Sequence, residues 1–337
     1  MAKRRRKTGI IALLLAVGGL GGAGFWVQSQ IQPLEKGKPF FVRYEKRQRL
    51  GTVLADLASK KTVRNPTAMF LYAIGTRKSA YVASGTYQFT PGLSADDILS
   101  RLARPLRARI RIPQAFWAAR TGAVLEAAQV CSAQSYVAQA RQPEQFKPVV
   151  SFPLPTGSLE GYLFADTYEL PPLTGARKAI ERQLQAFDKK IWRPLGGLKE
   201  AHRTLTVASL VELEVKRDSE RAIVAGVIEN RLAKGIPLQI DASINYALQD
   251  WRPLAVSEYQ SVKSPYNLYL NKGIPPGPIC SPSLKSIEAA LHPIHHNYLY
   301  YVAMPDGTSR FSATLAEHLK NVKLRKSLLA KHGKRLR

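Results

Sequence analysis

Cysteine is nearly absent. The chain has two, Cys131 and Cys280, far apart in the sequence. That excludes a dense disulfide framework and any zinc-ligand spacing; whether the two pair is left open. No P-loop and no glycine-rich dinucleotide fingerprint occurs, so neither a metal nor a cofactor is expected. Acidic residues are scarce: 24 Asp and Glu stand against 50 Lys and Arg, a net charge of +26. A chain this basic meets a polyanion such as nucleic acid, anionic lipid or an acidic wall polymer; the blander reading is solubility. The densest basic segment, Arg101 to Arg111, lacks interleaved aromatics, and no nucleic-acid-binding module is present, so no nucleic-acid partner is expected.

Long apolar runs are equally rare. One stretch, Gly9 to Val27, is free of charge over 19 positions. As a helix it would span roughly 28 Å, near the hydrocarbon thickness of a bilayer. Lys3, Arg4, Arg5, Arg6 and Lys7 precede it, which puts the N-terminus in the cytoplasm and the rest of the chain outside. A cleaved signal peptide is the alternative, but no small-residue cleavage site follows. The expected order is a cytoplasmic basic tail (1–8), a single transmembrane helix (9–27) and a polar linker (28–38).

Beyond the linker the pattern is α+β. PFFVRYEK, from Pro39, alternates like a strand. Helices are expected over Leu50–Ser59, Asn65–Ile74 and, capped by Ser94, up to Leu102. Val82–Phe89 reads as a strand with a turn at Gly85. In RARIRI, from Arg107, the arginines share one strand face. Residues 113–148 say little. Ala176 to Arg193 is helical. Ser264 to Pro282 is too rich in proline and glycine for a helix and is a long ordered loop, which is commonly functional. A short helix over Ser286–His292, a strand over Tyr298–Ala303 and a helical, basic tail complete the chain.

The informative segment is Leu205 to Leu248. Two helical patterns flank the polar insert Lys216–Glu220, and the first contains Glu212 and Glu214. Two residues apart, these point to nearly opposite faces of a helix. Val207, Leu210 and Val211 share the face of Glu214. Ala208, Ser209 and Lys216 share that of Glu212, which therefore reads as the wetter side. A carboxyl on an apolar face is desolvated and holds its proton to higher pH, as a general acid requires. The competing reading of Glu214 is a rim glutamate paired with Arg217 or Arg221.

ASLVELEVKRDSERAIVAGVIENRLAKGIPLQIDASINYAL resembles the catalytic core of the endolytic murein transglycosylases, the MltG-like or YceG-like family. That family carries A-S-I-[IV]-E-K-E, then S-E-R, then V-x-x-N-R-L-x-x-G-M-x-L-Q-[ST]-D-P-[ST]-[VI]-x-Y. LEGYLFADTYEL from Leu159 and SPYNLYLNKGIPPGPICSP from Ser264 resemble two further family motifs. The E-G-[MW] motif usual after the basic strand is missing, with Pro113-Gln114-Ala115-Phe116 in its place. The resemblance implies a LysM-like βααβ domain over 39–106, a connecting region over 107–156, an α+β transglycosylase domain over 157–321 and a basic tail over 322–337. It implies cleavage within peptidoglycan glycan strands to leave a 1,6-anhydro end, with Glu214 catalytic and cell-wall synthases as candidate partners. Glu160, Asp166, Tyr168, Glu212, Gln239, Asp241, Tyr266 and Asn267 are the expected substrate-binding residues, with Tyr269 a further sugar contact. A non-catalytic, membrane-tethered wall-binding protein is the alternative.

Overall fold

The computed structural model describes residues 22–335, with side chains to residue 330. The expected span 9–27 falls mostly outside these. Helix α1 covers 22–30 and exposes Phe25 and Trp26. Among the described residues no helix is long and apolar enough to cross a membrane. The chain divides into two compact units, one formed up to Ala108 with Leu170–Thr174, the other by Arg109–Glu169 with Gly175 onward.

In the first unit, strand β1 (Phe40–Tyr44) and strand β2 (Gln48–Arg49) lead into helix α2 (Leu50–Ser59) and helix α3 (Pro66–Gly75). The start of α3 is set by Asn65, whose Oδ1 accepts the backbone N–H groups of Thr67 and Ala68, with Pro66 at the first helical position. Strand β3 (Tyr81–Val82), strand β4 (Gly85–Phe89) and helix α4 (Ala95–Leu102) follow. The single strand expected over Val82–Phe89 is two: β3 pairs with β2, and β4 runs antiparallel to β1. Ser94 caps α4 as its sequence indicates. Leu54, Leu57, Val53, Tyr87 and Phe89 fill the core, all essentially inaccessible. Fully burying each such side chain contributes about 1.5–3 kcal/mol.

The second unit is mixed helix and small sheet. Strand β5 (Arg109–Arg111) pairs antiparallel with strand β6 (Thr167–Glu169), and Arg109 and Arg111 share the exposed side of β5. The uninformative region contains helix α5 (Ala118–Ala127) and helix α6 (Ala133–Ala140). They pack on each other, and α6 packs on helix α7 (Ala176–Phe187). Short side chains hide the packed faces of α5 and α6 from a reading of the sequence. Gly122 lets the two helices approach so closely that an added Cβ would lie 3.2 Å from Ala133. Helix α8 (Ala201–Glu214) is the centre of this unit. Every residue from Thr204 to Val211 is buried, because helix α9 (Asp218–Ala233), helix α10 (Asp241–Leu248) and helix α12 (Leu284–Leu291) all pack against it. The short helix α11 (Glu258–Ser261) precedes the Pro/Gly loop. Strand β7 (Tyr300–Ala303) pairs with strand β8 (Ser309–Ser312), which the sequence did not suggest, and helix α13 (Leu315–Arg335) closes the chain.

Two hydrogen-bonded junctions fix this frame around α8. Ser209 Oγ accepts the Ile279 N–H at 3.0 Å, which seats the Pro/Gly loop on the helix. Glu220 of α9 accepts the backbone N–H and the hydroxyl of Ser309 at 2.9 and 2.6 Å, which ties the hairpin to the start of that helix. Cys280 is buried and Cys131 half-buried, and both thiols are free.

Candidate active site

Glu214 is the last residue of α8; Val215 leaves the helix in an extended conformation. The glutamate therefore sits where the backbone turns away, and its carboxyl lines a cleft of about 390 Å³. Tyr301 of β7, 87 positions on, donates its hydroxyl to Glu214 Oε2 at 2.7 Å. Burial raises the pKa of this carboxyl; the Tyr301 hydrogen bond pulls it down, the charge of Asp241 pushes it up, and the net shift is upward.

The other walls come from several elements. Arg231 belongs to α9, Gln239 to the segment just before α10, Asp241 to the first position of α10, Tyr269 to the Pro/Gly loop, Tyr300 to β7, and Leu315 and His318 to α13. Asp241 stands at the first position of α10, where a negative charge suits the helix dipole. Its Oδ1 accepts the Tyr269 hydroxyl at 2.6 Å, and Oδ2 accepts that of Tyr259 at 3.3 Å. Gln239 holds a left-handed backbone, φ 55°, a conformation a residue with a Cβ adopts at some cost. Its N–H donates to the Leu268 carbonyl at 3.0 Å and its Oε1 accepts Arg231 Nη2 at 2.6 Å. His318 stacks on Tyr300, ring centroids 5.2 Å apart, and burial followed by the Arg231 charge lowers its pKa.

The structure thus brings Glu214, Gln239, Asp241 and Tyr269 together in one cleft. The remaining expected residues lie elsewhere. Glu212 corrects the face argument. Its side chain is 6 % exposed, not wet. Oε2 accepts the Ser283 N–H at 2.9 Å, the Ser283 hydroxyl at 2.6 Å, the Ser286 hydroxyl at 2.7 Å and Arg221 Nη1 at 3.2 Å. Helical spacing failed because α8 is enclosed on more than one side: α12 and the turn before it cover the face that carries Ser209 and Glu212.

Glu160 is buried, its Oε2 accepting the Ala118 N–H at 2.9 Å while Oε1 has no hydrogen-bond partner among the described residues. Burial lifts its pKa to about 7 against the pull of the Ala118 and Gly161 N–H groups and Tyr246. Asp166 pairs with Lys190 and accepts the Thr167 N–H. Tyr168, on β6, donates to the Phe164 carbonyl at 2.6 Å. Tyr266 packs on Tyr246, centroids 4.8 Å apart. Asn267 is fully buried; its amide donates to the Tyr259 and Val262 carbonyls and its Oδ1 accepts the Tyr269 N–H, so it shapes the loop that delivers Tyr269.

Sequence reasoning missed Arg231, Tyr300, Tyr301, Leu315 and His318. The strand expected over Tyr298–Ala303 contains Tyr301, but no local pattern says that this strand faces Glu214. Among the described residues, no cluster of His, Cys, Asp and Glu could hold a metal ion.

An acid at a helix end, on the wall of a polar cleft built by α8, α9, α10, a Pro/Gly loop and a tyrosine-rich hairpin, is the arrangement to be placed among known proteins. The sequence profile of the YceG-like family matches residues 42–324, and the chain belongs to that family. The chain is similar to the endolytic murein transglycosylase of Bacillus subtilis, 28% identical over an alignment of 321 positions, with 89% of each chain covered. It is also similar to the endolytic murein transglycosylase of Streptococcus pneumoniae, at 32% identity over 275 residues covering 71% of this chain and 50% of that one. A crystal structure of a yceG-like protein from Listeria monocytogenes superposes with a TM-score of 0.58 at 27% identity, covering 84% of this chain and 98% of that one.

Proposed function

We propose that the chain is an endolytic murein transglycosylase in which Glu214 is the sole acid/base. The substrate is the β-1,4 bond between N-acetylmuramic acid and N-acetylglucosamine inside a peptidoglycan strand. The observation that carries this reading is the cleft carboxyl of Glu214, held by Tyr301 and kept protonated to higher pH than an ordinary glutamate by burial and by Asp241. Membership in the YceG-like family and the names of the curated relatives support it.

Glu214 first gives its proton to the glycosidic oxygen. The carboxylate left behind is stabilised by the Tyr301 hydroxyl, a charge-assisted hydrogen bond. Positive charge grows at C1 of the muramic sugar as the bond breaks, and the Asp241 anion in the same cleft favours it. Glu214 then takes the proton from the C6 hydroxyl of that sugar, whose oxygen closes on C1 to give the 1,6-anhydro product. Attack from within the same sugar needs no bound water and carries the entropic advantage of an intramolecular reaction. Asp241 is the one other carboxylate on the cleft wall among the described residues. Both its oxygens are taken by tyrosine hydroxyls, which suits an electrostatic role better than that of a hydrolytic base.

The wider reading is a protein anchored in the cell membrane by a span over 9–27, with residues 28–337 outside the cytoplasm. A LysM-like domain over 39–106 would hold glycan, and cell-wall synthases would supply the strands that the domain over 157–321 terminates. The test digests purified sacculi with the full chain in 18O water and analyses the products by mass spectrometry. Unlabelled 1,6-anhydromuropeptides are expected. Reducing ends carrying 18O would make the protein a hydrolase, and no release at all would leave a wall-binding protein.

A further inference from the structure

Arg231 is an anomaly within the cleft. It is 8 % exposed, yet it forms no ion pair with any carboxylate among the described residues. Of its five N–H donors, one is engaged, Nη2 with Gln239 Oε1 at 2.6 Å. Its Nε is buried without a partner. The guanidinium lies 5.5 Å from the Tyr300 ring centroid, and the rings of Tyr300 and His318 stack beside it. His318 Nδ1 is likewise buried and unpartnered. Neither acid of the cleft pairs with it: the hydrogen bonds of Glu214 come from Tyr301 and those of Asp241 from Tyr269 and Tyr259.

A buried cation with no carboxylate paired to it is costly. The cost is recovered when an anion arrives, because a guanidinium offers a planar fork that matches a carboxylate. The reach of such a group is set by the cleft. Arg231 and Glu214 line the same 390 Å³ space, so an oxyanion bound at Arg231 lies close to the bond being cut. On the proposed reading the substrate carries such groups: muramic acid has a lactyl arm ending either in a stem peptide with free carboxylates or, when the peptide is removed, in a carboxylate of its own.

We propose that Arg231, with His318 beside it, is an anion subsite that seats a carboxylate borne on the lactyl arm of the muramic residue at the cleavage site, and so positions that residue against Glu214. Arg231 is then a specificity-determining residue. Glycan lacking the anion would enter the cleft but be held poorly. The inference rests on the glycan-cleaving reading, and a binding measurement separates the two.

The experiment uses the full chain carrying Glu214→Gln, so that strands are bound and not cut. Dissociation constants are measured for three soluble strands of equal length: peptide-bearing, peptide-bearing with every carboxylate capped as a methylamide, and amidase-treated with free lactyl carboxylates. Capping should weaken binding roughly tenfold to a hundredfold, the range of a hydrogen-bonded charge contact. In the Arg231→Gln protein capped and uncapped strands should bind alike. Arg231→Lys, which keeps the charge and loses the fork, should fall between. Tight binding of the amidase-treated strands assigns the subsite to the lactyl carboxylate, weak binding to the stem peptide. If the Glu214→Gln chain holds capped and uncapped strands equally, or if Arg231→Gln preserves the discrimination, the subsite is refuted whatever the fate of the catalytic reading. Failure of the wild type to release anhydro products, with the discrimination intact, refutes catalysis and leaves the subsite standing.

Discussion

Glu212 and Glu214 are two residues apart at the end of one helix, and their surroundings are opposites. Glu212 gathers four donors on a single oxygen, one of them the guanidinium of Arg221. Glu214 has a single tyrosine hydroxyl and open cleft. A carboxylate whose oxygen is taken up by four donors, one of them a buried guanidinium, is a structural anchor. It anchors α12 and the turn before it to α8. A carboxyl that is desolvated but left short of donors keeps its proton and has an oxygen free for a substrate. Burial alone does not separate structure from chemistry here; the number of donors does.

Substitution of either glutamate by glutamine should split these roles. Glu214→Gln is expected to lose roughly 10²- to 10⁴-fold in rate, the usual worth of acid/base assistance, with an unchanged melting temperature. A variant that melts early would mean that Glu214 also holds the fold. Glu212→Gln is expected to do the reverse. Arg221 loses its buried partner but keeps Asp218 at 3.1 Å, so the cost in denaturant unfolding should be about 1–3 kcal/mol, that of a lost buried hydrogen bond to a charged group, and the protein that remains folded should retain activity. Full stability with lost activity would return Glu212 to the reaction.

Glu160 offers a third kind of buried carboxyl, away from the cleft. Its pKa rises from an ordinary 4.5 to about 7 in the folded protein. The folded state therefore holds a proton that the unfolded state releases, and stability falls as pH rises from 4.5 to about 7, by roughly 3 kcal/mol. Glu160→Gln removes this dependence, so the stability difference between variant and wild type should shift toward the variant over that interval. A difference that stays flat from pH 5 to 7 would mean Glu160 is ionised when folded.

Smaller shifts are expected from the neighbours of Glu214. The active acid form is lost as pH rises through its pKa. Tyr301→Phe removes a donor to the carboxylate, raising that pKa and moving the alkaline limb of the kcat/KM profile upward. Asp241→Asn removes a repelling charge and moves the limb downward. Shifts of the same sign in the two variants would break the electrostatic account.

Much of this was legible in local sequence. Ser94 announced the start of α4 because a cap acts within three residues. Glu214 was legible because its apolar neighbours are its own helical turns. Gln239, Asp241 and Tyr269 came from the family resemblance. What stayed hidden was everything set by distant chain. The wet reading of Glu212 ignored α12, which covers it from more than 70 positions away. Tyr301 reaches the cleft on a hairpin whose second strand has no pattern strong enough to mark it, and His318 on the helix that follows. The α5–α6 pair was obscured by alanine and glycine, which pack closely but give little apolar contrast.

The central claim is that burial holds Glu214 as an acid. The most direct measurement is its own titration, read as the carboxyl stretch in the infrared difference between wild type and Glu214→Gln across pH. A protonated carboxyl band that persists above the ordinary glutamate range and moves further up in a Tyr301→Phe background is the predicted result. A band that titrates as in an exposed glutamate would show an ordinary, ionised carboxylate at neutral pH and contradict the account.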